Sequence, residues 1–259
     1  MIIDTIMYFN EDRMLDFRLH ELEDMVDYHI IVESNFTFQG KPKSSHFFEN
    51  LGKFAKFKHK LIHLITDAVP NGQKWYMEEH QRNYASTFLL KHFTDPNDVF
   101  IITDADEIPS PKGIRKAIDW MRQNAQLPFI GLDYDFYFYN FRTMSTCQWD
   151  QGFICRRDAL ILHDAVKLRS FAAWNKESRI KNGGWHLTNF MTPEEIKVKL
   201  QSYSHTEYNS ESFTNTDRIR ELISKKRDIF QRNESEFKLI DNTVYPLPVH
   251  YKLIDPTMD

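Results

Sequence analysis

The chain has 259 residues, and its 33 Lys and Arg against 37 Asp and Glu give a formal charge of −4. An apolar fraction of 41% is ordinary for a globular protein, and a net negative charge argues against a protein that coats nucleic acid. The two cysteines, Cys147 and Cys155, are too few for a disulfide scaffold or a four-thiolate metal site. Because the sequence has neither an apolar run of roughly 18 residues nor a signal-like N-terminus, we expect no membrane span and a cytoplasmic location.

Strands and helices are predicted to alternate through about the first 125 residues. Short apolar runs predict buried strands, and helical spacings such as Leu15, Leu19 and Leu22 predict helices. The expected strands cover 2–9, 27–33, 61–65 and 99–102, and the expected helices cover 12–23, 76–92 and a segment that begins at Pro111. This alternation predicts an α/β fold with crossover helices.

Polar residues lie at the carboxyl ends of these strands, where ligands of α/β sheets bind. Asn10 and Glu11 follow the first strand, Glu33 ends the second, and the segment 104–107 follows the fourth. We therefore expect these side chains to converge on one crevice.

The second half of the chain is less regular. A strand over 131–141 alternates in character, and its polar face carries Asp133, Asp135, Tyr137 and Tyr139. Further strands are predicted over 152–155 and 159–162, and helices are predicted from Pro193 and over 214–232. Antiparallel strands in this half would make the central sheet mixed.

The segment 100–109 places two carboxylates directly after an apolar strand. Because Asp104 and Asp106 are two apart on extended backbone, both side chains can face the same way. Two carboxylates suit Mg²⁺ or Mn²⁺, which typically takes one or two protein carboxylates and completes its shell with phosphate oxygens and water. The spacing alone is weak evidence, since Asp133-x-Asp135 repeats it and a solvated acidic turn that caps the next helix would look the same.

The segment 100–109 resembles the metal-binding acidic motif of GT-A glycosyltransferases. More narrowly, it resembles the glycosyltransferase family that contains the β-1,4-mannosyl-glycoprotein β-1,4-N-acetylglucosaminyltransferases. Further segments that fit this family are Asp4-Thr5, Phe9-Asn10-Glu11, Arg18-Leu19, Glu21-Leu22, Ile31-Val32-Glu33, Thr37-Phe38, Gly40-Lys41-Pro42, Gln81-Arg82-Asn83, Gly183-Gly184-Trp185-His186 and Ser204-His205-Thr206-Glu207. The resemblance extends from about residue 3 to about residue 210.

The resemblance implies a single Rossmann-like GT-A domain over 1–259, with a nucleotide-sugar-binding half at about 1–125 and an acceptor-binding half at about 126–259. It implies inverting transfer of a sugar, with GlcNAc as the expected one, from a UDP-sugar donor to a glycan acceptor hydroxyl. In that reaction Asp104 and Asp106 would hold Mn²⁺ or Mg²⁺ against the donor diphosphate.

The resemblance also assigns a nucleotide-sugar site. Its candidate residues are Asn10, Glu11, Glu33, Arg82, Asn83, Asp104 and Asp106. Glu33 would meet the nucleoside, and the guanidinium of Arg82 could reach the diphosphate. The alternatives are a helix-cap or loop salt bridge for Glu33 and a salt bridge to Glu78 or Glu79 at helical spacing for Arg82.

Two histidines compete to be a third metal ligand. GT-A enzymes often supply such a histidine from the C-terminal half, and His205 is favoured as the ligand because it follows the helix that starts near Pro193. His186 follows Gly183 and Gly184, which would allow close backbone approach to a ligand, and is expected as a substrate-pocket donor. Tryptophans suit an acceptor site because the C–H faces of sugars pack on rings, so we expect Trp149 and Trp185 beside His186. Core packing is the alternative for each tryptophan.

An inverting transfer needs a base that deprotonates the acceptor hydroxyl. The sequence does not single one out. The possible carboxylates are Asp133, Asp135, Asp150, Glu177 and Glu194. Of these, Asp135, Asp150 and Glu194 are the predicted candidates for the catalytic base. A non-catalytic carbohydrate-binding protein on a decayed transferase fold and a metal-dependent phosphohydrolase are the alternative functions.

Overall fold

The computed structural model of the chain describes residues 1–232, 237–239 and 247–256. Its strands are β1 Ile2–Met7, β2 Tyr28–Ser34, β3 Leu61–Thr66, β4 Val99–Asp104, β5 Glu107–Pro109, β6 Phe129–Phe138, β7 Thr143–Ser145, β8 Trp149–Arg156, β9 Arg179–Thr188 and β10 Phe237–Leu239. Its α-helices are α1 Asp12–Glu21, α2 His46–Asn50, α3 Tyr76–His92, α4 Pro111–Gln123, α5 Arg157–Leu162, α6 Ala165–Trp174, α7 Pro193–Leu200, α8 Glu211–Thr214 and α9 Thr216–Ser224. Short 3₁₀ helices cover Leu51–Lys60, Thr206–Tyr208 and Tyr251–Leu253. Among these described helices none combines the length and the apolar character that a bilayer span requires.

One ten-stranded sheet runs through both halves of the chain, with the main order β10-β7-β6-β8-β4-β1-β2-β3. Strands β3, β2, β1 and β4 are parallel neighbours, whereas β8 joins β4 and β6 in antiparallel pairing. β9 lies parallel to β6 and antiparallel to β5. This Rossmann-like parallel part, extended by antiparallel strands, confirms the predicted GT-A-like α/β fold with a mixed central sheet. The division into a donor half and an acceptor half stays a prediction.

The central strands are apolar on both faces because helices cover both sides of the sheet. On one face, Ile3 of β1 and Ile102 of β4 pack in a fully buried cluster with Leu89 of α3. On the other face, Ile6 of β1 packs with Leu15 of α1. Burial of both strand faces fixes the position of the carboxyl ends of β1 and β4, which form the edge of the candidate site.

A buried ion pair joins α1 to the sheet beneath the acidic turn. Arg18 donates to the carboxylate of Asp4 at 2.5 and 2.9 Å, and both side chains are fully buried. Burial would raise the pKa of Asp4, but Arg18 and His29 outweigh it and hold that pKa at about 2. Arg18 also donates to the backbone carbonyls of Asp104 and Glu107, each at 2.9 Å. The guanidinium therefore fixes the backbone on which the acidic residues are mounted.

Two element predictions in the second half are wrong. The segment 159–162, expected as a strand, belongs to α5, because a four-residue apolar run does not distinguish a strand from a helix. The last helix ends at Ser224 rather than at 232. There Lys226 adopts a left-handed φ of 52°, and the amide of Arg227 donates to the carbonyl of Leu222, as in a Schellman cap. A lysine in place of the usual glycine left no stop signal in the sequence.

Several elements were not predicted, among them helix α6 and strand β9, which have ten residues each. Helix α6 begins at an N-cap in which Asp164 accepts from the amide of Lys167, and it buries Leu168 and Ala172. Strand β9 contains Gly183 and Gly184, which favour turns and hid the strand. The two glycines let β9 approach its neighbours closely. A Cβ on Gly184 would lie 2.2 Å from the Ile108 carbonyl oxygen, so the glycines serve packing against protein rather than a ligand.

Strand β9 also approaches helix α4 closely, and this second contact gives a test of the packing between them. A Cβ on Gly113 would lie 2.2 Å from the carbonyl oxygen of Gly183. Although alanine is favoured over glycine within helices by about 1 kcal/mol, we expect Gly113→Ala to lower the free energy of unfolding by about 2 kcal/mol in urea titrations.

Gly52→Ala is the matched control, because a Cβ on Gly52 has no neighbouring atom within 4 Å. We expect that variant to change the free energy of unfolding by less than about 1 kcal/mol. Equal stability of the two variants would contradict the close approach of α4 to β9.

Candidate active site

A cavity of about 450 Å³ opens at the carboxyl edge of β1 and β4. Its wall includes residues from the β1 end, the acidic turn after β4, strand β9 and helix α7. Among its lining residues are Glu11, Asp104, Asp106, Trp149, His186 and Lys199. This is the edge at which the sequence predicts a ligand site.

The acidic turn places both predicted carboxylates on the cavity. Asp104 ends β4, Asp106 lies in the turn, and Glu107 begins β5. The backbone of the turn is held from two sides, since Arg18 binds the carbonyls of Asp104 and Glu107 and the amide of Leu187 donates to the Asp106 carbonyl at 2.8 Å. The two carboxylates therefore sit on a fixed backbone.

Two arginines neutralise Asp104. Arg82 of α3 donates to Oδ1 at 2.6 Å, and Arg169 of α6 donates to Oδ2 at 3.1 Å. Burial would raise the pKa of Asp104, but Arg82 and Arg169 together lower it below its ordinary value. Asp104 is therefore a carboxylate with a hydrogen bond at each oxygen.

Arg169 also ties Glu107 into the site. Its guanidinium binds the two Glu107 oxygens at 2.6 and 2.7 Å, and the indole N–H of Trp149 donates to Glu107 Oε1 at 2.6 Å. The Glu107 side chain is 1% exposed. A bidentate arginine fixes the direction as well as the charge of its partner. Glu107 thus orients Arg169 and Trp149 rather than facing a ligand freely.

Asp106 has a different environment from Asp104. Lys199 of α7 donates to Oδ2 at 3.0 Å, and Nε2 of His186 lies 3.7 Å from Oδ1, which exceeds hydrogen-bond length. Burial would raise the pKa of Asp106, but Lys199 and His186 hold it well below its ordinary value. For Lys199, burial would lower the pKa, but Asp106 and Glu11 raise it, so the side chain is an ammonium.

Aromatic rings line two parts of the cavity. Next to the acidic turn, the ring centroid of His186 lies 4.6 Å from that of Phe136, in a stacked arrangement, and 4.3 Å from that of Trp149. Elsewhere on the wall, Trp75 contacts His205 edge to face at 4.6 Å. Rings of this kind suit the faces of a nucleobase or a sugar.

Several buried polar atoms on the wall have no hydrogen-bond partner within the described part of the chain. They are Nδ1 of His186, Nδ2 of Asn189 and the hydroxyl of Tyr203. Buried polar groups are normally paired, so these three atoms are exceptions within the described structure.

Some of the residues predicted to bind the nucleotide sugar line the main cavity, and the others do not. Glu11, Asp104 and Asp106 line the cavity directly. Arg82 lies behind Asp104, and its Nη1 is buried without a partner among the described residues. Asn10 lines a neighbouring cavity of about 360 Å³ that also includes Glu11.

Glu33 and Asn83 do not line the main cavity. The Glu33 carboxylate accepts from Lys43 at 2.5 Å, from the Ser45 hydroxyl at 2.8 Å and from the amide of His46 at 2.7 Å. Burial would raise the Glu33 pKa, but His63 and Lys43 hold it at about 2. This is the loop salt bridge that the sequence offered as the alternative. Asn83 Oδ1 accepts from the amide of Val166 at 3.3 Å and so helps to seat α6.

The predicted histidines and tryptophans also lie in different places. His186 lies at the acidic turn, where β9 pairs with β5, whereas Nδ1 of His205 lies 2.8 Å from Glu207 at the wall that holds Trp75. Within the described residues there is no group of three or more His, Cys, Asp and Glu side chains that could hold a metal ion. Trp149 lines the cavity, but Trp185 packs in a core cluster instead.

None of the predicted bases lines the cavity, and the reasons are local. The polar face expected for β6 is turned into protein, because Asp135 and Tyr137 are buried and Phe136 faces the cavity instead. Asp133 is paired with Arg179 and Lys181. The remaining candidates lie near the surface: Asp150 pairs with Lys176, Glu194 pairs with Arg220, and Glu177 is exposed. These residues are therefore not carried into the proposed mechanism.

Arg169 and Lys199 are residues of the site that the sequence did not indicate. Arg169 lies on a helix that was not predicted, and its partners Asp104 and Glu107 are 65 and 62 residues away. Lys199 lies on the helix expected from Pro193, but its partner is 93 residues away. Neither contact leaves a local spacing in the sequence that could have revealed it.

Comparisons with known proteins identify the family of the chain. The family model of glycosyltransferase family 17 matches residues 1–250. The β-1,4-mannosyl-glycoprotein 4-β-N-acetylglucosaminyltransferase of Homo sapiens is 29% identical over 238 residues, which is 80% of this chain and 44% of that protein. Its counterpart in Rattus norvegicus is also 29% identical over 238 residues and is covered to 43%. The chain thus spans less than half the length of these relatives.

Among solved structures, the 2-C-methyl-D-erythritol 4-phosphate cytidylyltransferase of Francisella tularensis is similar with a TM-score of 0.38 and 10% sequence identity. The alignment covers 76% of this chain and 97% of that one.

The family match places the protein in the class of glycosyltransferases. Since the family match covers nearly the whole chain, the protein belongs to glycosyltransferase family 17.

The arginine that joins the two acidic residues gives a stability test. Arg169→Met would leave Glu107 buried without its cation, and breaking a buried pair costs about 3 kcal/mol or more. We expect a loss of about that size in the free energy of unfolding, measured by urea denaturation.

Arg122→Met is the control, because Arg122 and its partner Asp119 are both largely exposed. We expect that substitution to cost less than about 1 kcal/mol. If the two variants are equally stable, Arg169 does not hold Glu107 as described.

Proposed function

We propose that the protein is a metal-dependent inverting glycosyltransferase that moves GlcNAc from a UDP-sugar to a hydroxyl of a glycan. The observation that supports this most is the acidic turn, where Asp104 and Asp106 face one cavity together with Arg169 and Lys199. Carboxylates beside fixed cations suit a ligand that arrives as a metal ion and a diphosphate. The names of the relatives supply the sugar.

The donor nucleotide would occupy the main cavity. Its diphosphate would lie near the acidic turn, within reach of Lys199. Its uracil would stack on the aromatic part of the wall, to which Phe36, Phe38 and Trp75 contribute. Asn189 and Tyr203 line the same cavity and would hydrogen-bond to donor hydroxyls if their side chains turned toward it.

The donor set fits Mn²⁺ or Mg²⁺. Both oxygens of Asp104 already accept from arginines, whereas among the described residues Oδ1 of Asp106 has only the 3.7 Å approach of His186. Asp106 would therefore ligate the ion directly, with Asp104 beside it, and His186 rather than His205 would be the nearest imidazole. Phosphate oxygens and water would fill the remaining positions. The ion supplies charge stabilisation to the leaving diphosphate.

Glu11 is the proposed base. Its Oε2 accepts from the amides of Phe9 and Asn10 at 2.9 and 3.0 Å, which directs the carboxylate without neutralising it. Burial raises the pKa of Glu11 above its ordinary value, which suits proton abstraction. Glu11 also lines the neighbouring cavity, whose polar and apolar wall includes Asp12 and Phe190 and would hold the acceptor.

In the proposed reaction, the acceptor hydroxyl gives its proton to Glu11 as its oxygen attacks the anomeric carbon of the donor. The bond from that carbon to the phosphate oxygen breaks, and UDP leaves with the electron pair. Attack opposite to the leaving group converts an α-linked donor into a β-linked product. Arg169 and Trp149 keep Glu107, and with it the acidic turn, in a fixed orientation during this step.

The donor site is tested by ligand-induced thermal shifts with UDP, GDP and CMP, each with and without Mn²⁺. We expect stabilisation by UDP that requires Mn²⁺, because a ligand at a hundredfold excess over its Kd stabilises the native state by about 2.7 kcal/mol. Asp106→Asn should abolish this shift. Asp150→Asn, which changes a carboxylate outside the cavity, should retain it.

An Mn²⁺-independent shift, or an unchanged shift in Asp106→Asn, would contradict the metal assignment. A folded protein that no nucleotide stabilises but that binds glycans would instead favour the carbohydrate-binding alternative.

The base is tested by Glu11→Gln. Because general base catalysis typically contributes about 10²–10⁴-fold, we expect kcat to fall by at least about 100-fold while the Kd for UDP with Mn²⁺ stays unchanged. Glu194→Gln, a surface carboxylate paired with Arg220, should keep both values. Loss of UDP affinity in Glu11→Gln with kcat retained would return Glu11 to a purely nucleotide-binding role.

A further inference from the structure

The cations around the acidic turn differ in how firmly they are anchored. Arg169 keeps two hydrogen bonds to Glu107 besides its contact with Asp104. Arg82 lies 3.6 Å from Glu78 as well as 2.6 Å from Asp104. Within the described part of the chain, the ammonium of Lys199 has a single hydrogen-bond partner, Asp106. Lys199 is therefore the cation of this cluster with a single ion-pair partner among the described residues, and at 22% exposure it is less enclosed than Arg82 at 3%.

The helix that carries Lys199 is fixed, so only the side chain has to move. Helix α7 begins with a capping box between Thr192 and Glu195, and it buries Ile196 and Leu200. Glu195 is also bound to Arg13 of α1 at 2.8 Å. The Lys199 side chain is 22% exposed and lines the cavity, and its four-carbon stem allows the ammonium to swing into it.

A divalent cation and the ammonium compete for the same carboxylate. Lys199 occupies Oδ2 of Asp106, and the ion proposed above would bind the same side chain. Two positive centres on one carboxylate repel each other, so the ion is disfavoured while Lys199 remains. A diphosphate changes this balance, because its oxygens are anionic like the carboxylate of Asp106 and offer the ammonium a new partner.

We propose that Lys199 exchanges partners when the donor binds. It holds Asp106 in the donor-free protein, and it binds the donor diphosphate once a divalent cation has taken Asp106. The inference rests on the proposed function and deepens it, since it names the side chain that recognises the diphosphate. It also explains why metal and nucleotide would bind cooperatively: each removes the obstacle to the other.

The exchange predicts opposite effects of one substitution on two ligands. In Lys199→Gln, Mn²⁺ alone should bind more tightly, by at least about threefold, because its competitor is gone. UDP in the presence of saturating Mn²⁺ should bind more weakly, by about tenfold, the usual worth of a charge-assisted hydrogen bond. Lys197→Gln, on the same helix, should bind both ligands like the unchanged protein. Free Mn²⁺ is measured by its electron paramagnetic resonance signal, and UDP binding by calorimetry.

The results separate this inference from the proposed function. If the unchanged protein binds no UDP with Mn²⁺, the proposed function fails, and the exchange fails with it. If the unchanged protein binds UDP but Lys199→Gln weakens both ligands or alters neither, the exchange alone is overturned. Unfolding midpoints of the three proteins without ligand show whether Lys199→Gln is folded, and Lys199→Arg, which keeps the charge, should restore UDP affinity in that comparison.

Discussion

The site depends on one buried ion pair, Arg18 with Asp4. A fully buried charge is tolerated only when it is paired and hydrogen-bonded, and Arg18 meets that condition by binding Asp4, Thr103 and two backbone carbonyls of the acidic turn. Helix α1, strand β1 and the turn after β4 are thereby fixed to one guanidinium. The geometry of Asp104 and Asp106 is set from within the core rather than by a surface loop.

On this fixed backbone, cations and carboxylates lie side by side, and the proposed metal ion and diphosphate would bind among them. Arg82, Arg169 and Lys199 keep the carboxylates charged despite burial, as the lowered pKa values of Asp104 and Asp106 indicate. Arg82 and Arg169 are oriented before a ligand arrives, so in the proposed reaction they would need no reorganisation as charge develops on the leaving group. The aromatic rings beside the turn line the same cavity, where a nucleobase or a sugar could pack on them.

Much of the first half could be predicted from the sequence, because periodic apolar runs encode β1 to β4, α1 and α3 locally. The acidic pair was recognised since a strand end and its polar residues are contiguous. Arg169 and Lys199 escaped because their contacts join distant segments, and Gly183 with Gly184 disguised β9 as a turn. Glu33 looked like a nucleoside ligand but is taken by Lys43 and Ser45, a contact across a loop that spacing does not reveal.

Proton NMR of the reaction is the most direct test of sugar transfer at the acidic turn. The chain would be incubated with UDP-GlcNAc, Mn²⁺ and a panel of glycans that includes β-mannosyl acceptors. We expect a new β-anomeric proton signal that requires both Mn²⁺ and a glycan, with UDP released in equal amount. Release of UDP at the same rate without any glycan, or an α-linked product, would contradict it.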